Sequence, residues 1–297
     1  MLSTTEYEHE RSHPAIEING QQLATPRLAL YTKTGCIPYI NFNFVRNTDG
    51  IFYRDKSANG ETQETIQNEL LIINVADLLD LYSSNVLEHF AQQTYFKNYG
   101  FMITIHDGPR EKDGHRKGYG QNCEANKFRT FPIIGDINTP PIAKKKWTAK
   151  AVNRSSQFLE QTINLLADCE TVKSDDSCNK RIKLNGSSAP LKMGRVWATI
   201  TGGYSIKDRV DSCRNVSQHD DKLFGFVIDS FYGYHSNRDE ASYFDSFHDC
   251  AQLLREHILP NLPSVKPRAL WGAFLPDDMI RAISYGIDVL DSSIVPH

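Results

Sequence analysis

No Cys-x-x-Cys pair occurs anywhere in the chain. The six cysteines, at 36, 123, 169, 178, 213 and 250, stand apart with no paired histidines beside them, so their spacing encodes neither a zinc site nor a redox dithiol. No apolar run approaches the ~20 residues that a membrane-crossing helix needs. The polar, acidic stretch from Met1 to Pro14 does not read as a secretory leader. Charge of one sign is not in excess either: 33 Lys and Arg against 36 Asp and Glu leave a net charge of −3, so the whole molecule has no electrostatic demand for nucleic acid. Internal repeats and strongly low-complexity segments are missing too. The expectation is a chain of a reducing, aqueous compartment with structural thiols, in which the Asn-x-Ser triplets at Asn153, Asn185 and Asn215 are chance matches.

The composition that remains, 40% apolar and 23% charged over 297 residues, suits one large α/β domain with a buried core. A barrel of eight βα units typically takes roughly 250 residues. Apolar runs recur at 28–31, 101–105, 131–134, 196–200, 224–228, 269–274 and 287–290, with an eighth candidate at 70–75, and helical patterns lie between them. Phe244, Phe247, Ala251, Leu254 and Ile258 repeat at three and four residues, and Pro260 ends that helix. Trp147, Ala151, Phe158 and Leu165 form a similar stripe within 144–167. Pro276 with Asp277 and Asp278 opens a short helix, which Gly286 ends. The polar stretches 107–127 and 169–194 read as a loop and an insertion, residues 1–20 as a flexible tail, and 21–297 as a single barrel-like domain. Lys144-Lys145-Lys146 is the densest basic run and reads as a solvated face or a local patch.

The chemistry concentrates at strand ends. Asp291 follows the buried run Ile287 to Leu290, where a barrel of parallel strands presents its reactive groups, and a carboxylate there can attack an anomeric carbon. Read alone, Asp291 before Ser292-Ser293 equally suits a cap. Thr201-Gly202-Gly203 follows another strand; it can let a flat ligand lie against bare backbone, or simply make a tight turn. Asp136, also past a strand, can accept paired hydrogen bonds from a guanine-like edge or serve a turn. His106-Asp107 is a further acid/base candidate or a loop cap.

At these residues the sequence resembles the queuine tRNA-ribosyltransferase family, and within it the non-catalytic accessory subunits. The matching runs are Leu30-Tyr31-Thr32-Lys33-Thr34-Gly35 with Ile37-Pro38, Ala149 to Leu159, Thr201-Gly202-Gly203, Gly225 to Asp229, and Lys266-Pro267-Arg268 through Pro276-Asp277 to Gly286-Ile287-Asp288. The resemblance implies a TIM (β/α)8 barrel of the tRNA-guanine transglycosylase type and an activity that replaces guanine at the wobble position with a deazaguanine base through a covalent tRNA intermediate. It puts Asp291 on the family's nucleophile, Gly202 and Gly203 on the pair that contacts the base, and Asp136 on the aspartate that reads the base edge.

Three departures weigh against catalysis by this chain alone. The Asp-Ser-Gly-Gly-Phe-Gln run of catalytic members, whose aspartate handles the proton, does not occur; Thr201 replaces their glutamine; Asp229-Ser230 replaces a Gly-Gly pair. Full-length relatives carry structural zinc on a later Cys-x-Cys-x-x-Cys and His, so no metal is expected in this chain, which reads as shortened before its last helix and zinc segment. The implied partners are a catalytic subunit in a heterodimer, tRNA and queuine, in the cytoplasm and peripherally on the mitochondrial outer membrane. Two rivals stand beside this reading: a self-sufficient base-exchange or glycoside-cleaving barrel enzyme, and a non-functional truncated isoform.

Overall fold

The aliphatic runs become parallel strands. In the computed structural model the described residues are 12–18, 21–32, 69–74, 99–104, 130–135, 145–171, 196–229, 251–271 and 276–291. A short antiparallel hairpin, β1 (Ile16–Ile18) and β2 (Gln21–Leu23), comes first. It is followed by β3 (Arg27–Thr32), β4 (Glu69–Asn74), β5 (Tyr99–Thr104), β6 (Thr130–Ile134), β7 (Val196–Ile200), β8 (Leu223–Ile228), β9 (Arg268–Leu270) and β10 (Val289–Asp291). These eight run parallel in chain order and close into a barrel through the pairing of β10 with β3. From β6 onward each crossover is helical: α1 (Lys145–Thr171), α2 (Ile206–Ser217), a helical segment over 251–261, and α3 (Pro276–Ser284). The architecture is an α/β fold of the TIM type.

The period-2 alternation of strand side chains builds two cores. Ile133, Trp197, Val227, Ala269 and Val289 pack inside the barrel. Their chain neighbours Ile134, Ala198, Phe226, Leu270 and Leu290 face outward, against Leu159 and Ile163 of α1 and Cys213 and Val216 of α2. Each fully buried aliphatic or aromatic side chain contributes about 1.5–3 kcal/mol. Trp197 fills much of the interior, tilted against Phe224 at 5.5 Å between ring centroids. A side chain at Gly225 would collide with this indole and with the carbonyl of Pro267, so only glycine fits there.

Ile16 and Leu23 of the hairpin belong to the inner core, and they close the end at which the strands begin. Asp288, just before β10 and 0% exposed, fastens that end. Its carboxylate lies 2.7 Å from Nδ1 of His13 and accepts the backbone N–H of Arg268 at 2.8 Å, while its carbonyl accepts the N–H of Arg27 at 2.8 Å. With that end plugged, the opposite mouth, where the strands finish, is left for chemistry.

Several sequence expectations shift. All eight strand candidates form, but β9 ends at Leu270, and Asp291 is the last residue of β10 rather than the first beyond it. Ile16–Ile18, assigned to the tail, is a strand because Ile16 gains a buried place inside the barrel. The stripe on α1 is rotated: Thr148, Ala151, Val152, Ser155, Leu159 and Ile163 are buried, whereas Trp147 is 64% exposed. A helix turns about 100° per residue, so Trp147, one position before Thr148, lies off the buried face. α1 also extends through Thr171, so Cys169 belongs to the helix and not to an insertion. Pro276 opens α3 as expected, and Gly286, at φ 96°, follows its end with its N–H on the carbonyl of Ile283. The segment after Ala251 widens into a π turn, Leu254–Ile258, and tightens into a 3-10 turn, Leu259–Asn261, that contains Pro260. Phe244, Phe247 and the loop 107–127 lie outside the described residues, and no described helix is long and apolar enough to cross a membrane.

Candidate functional site

Alternation continued past the inner core aims Thr201, Asp229, Trp271 and Asp291 into the mouth. Register sets them at one level: Ile200 pairs with Ile228, Ile228 with Leu270, and Leu270 with Leu290, so the next residue on each strand lies on the same ring. Two ladder bonds carry this ring past the strands, Asp229 N–H to the Ile200 carbonyl at 3.2 Å and Trp271 N–H to the Ile228 carbonyl at 2.9 Å. All four residues are buried, Asp291 to 2% exposure. Gly135, after β6, sits one step lower beside Thr199, whose Cβ leaves no room for a side chain there.

Two carboxylates therefore share the ring, Asp229 on the β8 side and Asp291 on β10, with Trp271 between them. Neighbouring strands are about 4.8 Å apart, so the two backbones stand roughly 9–10 Å from one another. In the sequence Asp229 ends a run that matches the family and, with Ser230, replaces a Gly-Gly pair, and neither reading gives it a place in the mouth. Its inward placement could have been found by counting in twos from Val227, once β8 was fixed.

The glycine pair is shaped from behind by a residue that sequence reasoning missed. Arg209 of α2 is fully buried. Its Nε donates to the Gly203 carbonyl at 2.7 Å, Nη1 to the Ile200 carbonyl at 2.5 Å, and Nη2 to the Asp229 carbonyl at 2.6 Å. One planar guanidinium thus satisfies three carbonyls where β7 and β8 end, a task its fork geometry suits better than an ammonium would. Gly202 adopts φ 132° and Gly203 φ 54°, both in the left-handed half of the map. A Cβ on Gly202 would lie 2.8 Å from the Arg209 nitrogen, so the loop lies directly on the first turn of α2. Ser205 caps that helix by accepting the Asp208 N–H at 3.3 Å, and Ser212 Oγ accepts the N–H of Thr201 at 3.1 Å.

Of the sequence candidates, Asp291, Gly202 and Gly203 are thus found at one mouth. Asp136 and the His106-Asp107 pair lie outside the described residues. Among the described residues no cluster of His, Cys, Asp or Glu could hold an ion. Burial pushes the Cys213 thiol up to about 12, against the smaller opposing pull of Arg209 and Arg268, and its Sγ rests 3.9 Å from the Ile258 carbonyl. That is a neutral core thiol, unsuited to zinc, which binds thiolate.

A closed parallel barrel with a buried acid and a glycine pair at its C-terminal mouth defines a protein of the TIM-barrel class, a fold whose active sites lie at that end. The family model described as queuine tRNA-ribosyltransferase matches residues 132–296, from β6 through the end of β10, and the chain belongs to that family. Similar curated proteins are named queuine tRNA-ribosyltransferase accessory subunit 2. The one from Ixodes scapularis is 25% identical across 92% of this chain and 64% of its own length. Its counterpart in Aedes aegypti is 25% identical across 91% of this chain and 60% of its own length. The Drosophila virilis protein is 30% identical across 92% and 61%. The chain therefore spans somewhat under two thirds of the length of these relatives.

Proposed function

We propose that this chain is a non-catalytic accessory subunit that supports a catalytic queuine tRNA-ribosyltransferase subunit in exchanging guanine for queuine at position 34 of tRNAs with GUN anticodons. The observation that carries the reading is an acid at the family's nucleophile position, Asp291, in a chain that lacks the Asp-Ser-Gly-Gly-Phe-Gln run. Exchange at an anomeric carbon needs both an attacking carboxylate and a group that gives a proton to the departing base. Asp291 supplies the first, and the run that supplies the second in catalytic members does not occur in this sequence. The names of the relatives point the same way.

In this reading 21–297, with the strand Ile16–Ile18 folded beneath it, forms one barrel domain, Gly202 and Gly203 keep the backbone of a base-contacting loop, and Asp136 takes the base-edge position. Asp229 puts a carboxylate where catalytic members have glycine, which narrows and charges the mouth. The partners are the catalytic subunit in a heterodimer, tRNA and, at this mouth, queuine. The protein works in the cytoplasm, with peripheral attachment to the mitochondrial outer membrane.

The test is incorporation of labelled guanine into tRNA by the purified chain, by the catalytic subunit, and by the two combined. The expected result is no incorporation by the chain alone, co-elution of the two proteins, and faster exchange by the mixture. Turnover by the chain alone, or a mixture that neither co-elutes nor gains activity, rejects the reading.

A further inference from the structure

The first turn of α1 is charged against its own interest. Lys145, Lys146 and Lys150 are exposed, and no acidic residue lies in that turn. Cations at the positive end of a helix oppose its dipole, and Lys146 and Lys150, four residues apart, repel one another along one face. Between them Trp147 leaves 64% of its surface in water, in a chain with only three tryptophans whose other two are buried. The Asp208 carboxylate, in contact with Thr148, answers part of this charge but leaves the exposed indole and the paired lysines unexplained. A rule broken at the helix terminus, with an exposed indole in the same turn, calls for a partner that supplies negative charge and a flat surface.

The patch is held rigidly and lies near the mouth. α1 follows β6, so its first turn is at the end of the barrel where the strands finish. Thr148 Oγ1, 2.5 Å from Asp208 Oδ2, ties that turn to the first turn of α2, directly behind Gly202 and Gly203. Ala151 and Val152 anchor the next turn in the core. The cations and the indole are therefore presented by a fixed surface beside the loop already described.

We propose that Lys145, Lys146, Trp147 and Lys150 form an RNA-contact surface, the lysines on phosphodiester oxygens and the indole stacked on an unpaired base. This rests on the accessory-subunit reading and adds where the RNA is held. Lysines neutralise phosphates and release counterions, and an aromatic face accepts any base regardless of sequence. An acidic protein surface could also meet the lysines and cover the indole, but only phosphodiester contacts bring the steep salt dependence of counterion release.

The experiment titrates a tRNA transcript into the complex of the full chain with the catalytic subunit, from 50 to 200 mM salt, for wild type, Trp147→Ala and Lys146→Gln/Lys150→Gln. Trp147→Ala weakens binding about 5- to 150-fold, the range for loss of one stacked base. The double lysine variant flattens the salt dependence by about 1.4–1.8 in log–log slope, two phosphates' worth. Its melting temperature stays the same or rises, since the opposed charges are gone, which rules out misfolding as the cause. Wild-type affinity and slope in both variants overturn the proposal and leave the accessory reading intact. Loss of the catalytic subunit with tRNA binding per complex unchanged makes the patch a protein interface and likewise overturns it. A wild-type complex that assembles but does not bind tRNA defeats both.

Discussion

Arg209 Nη2 and the carbonyl oxygen of Asp229 are 2.6 Å apart, which fastens the end of β8 to the helix that follows β7. The same guanidinium holds Ile200 and Gly203, so the positions of the glycine pair and of Asp229 depend on one buried side chain.

Arg209→Met removes the shared donor from the Gly203 and Asp229 carbonyls, while the Ile200 carbonyl keeps the Asp229 N–H. Each buried polar group left unpaired costs roughly 1–3 kcal/mol, so a loss of about 2 kcal/mol or more is expected. Urea denaturation followed by far-UV circular dichroism measures it as a lower midpoint with an unchanged folded baseline. Arg209→Lys recovers less than half of the loss, because an ammonium on a single stem does not span the three acceptors. Full recovery by lysine would show that charge rather than fork geometry matters.

Substitution of the two glycines separates conformational strain from steric conflict. Gly203→Ala meets a left-handed φ of 54° and costs about 1–2 kcal/mol. Gly202→Ala combines φ 132° with a Cβ only 2.8 Å from the Arg209 nitrogen and 2.9 Å from the Asp208 carbonyl carbon, and neither backbone atom can rotate away. Its cost is expected to exceed that of Gly203→Ala by at least 1 kcal/mol, by the usual penalty for strained backbone. The comparison is a pair of melting curves. The reverse order contradicts the packing of this loop on α2.

The buried thiol gives an alkaline limit. Cys213 rises from 9.0 to about 12 in the folded chain, chiefly because burial disfavours the thiolate. Above pH 9 the unfolded chain has lost a proton that the folded chain keeps, so stability is whole below 9 and falls as the pH climbs towards 12. One such group contributes a slope of about 1.4 kcal/mol per pH unit. Stability curves at pH 8, 9 and 10 for wild type and Cys213→Ala test this. The variant is less stable at pH 8 because it leaves a small cavity, and its decline above pH 9 is shallower. Parallel declines would remove Cys213 from the account.

Much of the barrel could be read from the chain because each strand is a short apolar run bounded by polar residues, and α3 carries its own start and stop signals in Pro276 and Gly286, although α1 carries none at either end. The errors lay where burial is decided by a distant element. Ile16 is a core residue only because a hairpin folds under the barrel. Trp147 looked like one from its spacing to Ala151, yet the buried face is set by what α1 meets, and that face centres on Thr148. In the site, Asp291, Gly202 and Gly203 were legible from strand-end position and family motif together. Arg209 was not, since no local pattern says which three carbonyls a helical arginine will reach. Asp229 was visible as a difference but had no direction until the register of β8 was known.

The most direct test of the central claim, that Asp291 occupies a nucleophile's place without attacking, is the rate of guanine exchange into tRNA by the catalytic subunit assembled with Asp291→Asn chain. Asparagine preserves the shape and removes the attacking charge. The account predicts a rate within about twofold of the wild-type complex, since less than 0.5 kcal/mol of barrier separates such rates. A loss greater than about tenfold, with the two proteins still co-eluting and tRNA still bound, would mean that this carboxylate takes part in the reaction and would contradict the account.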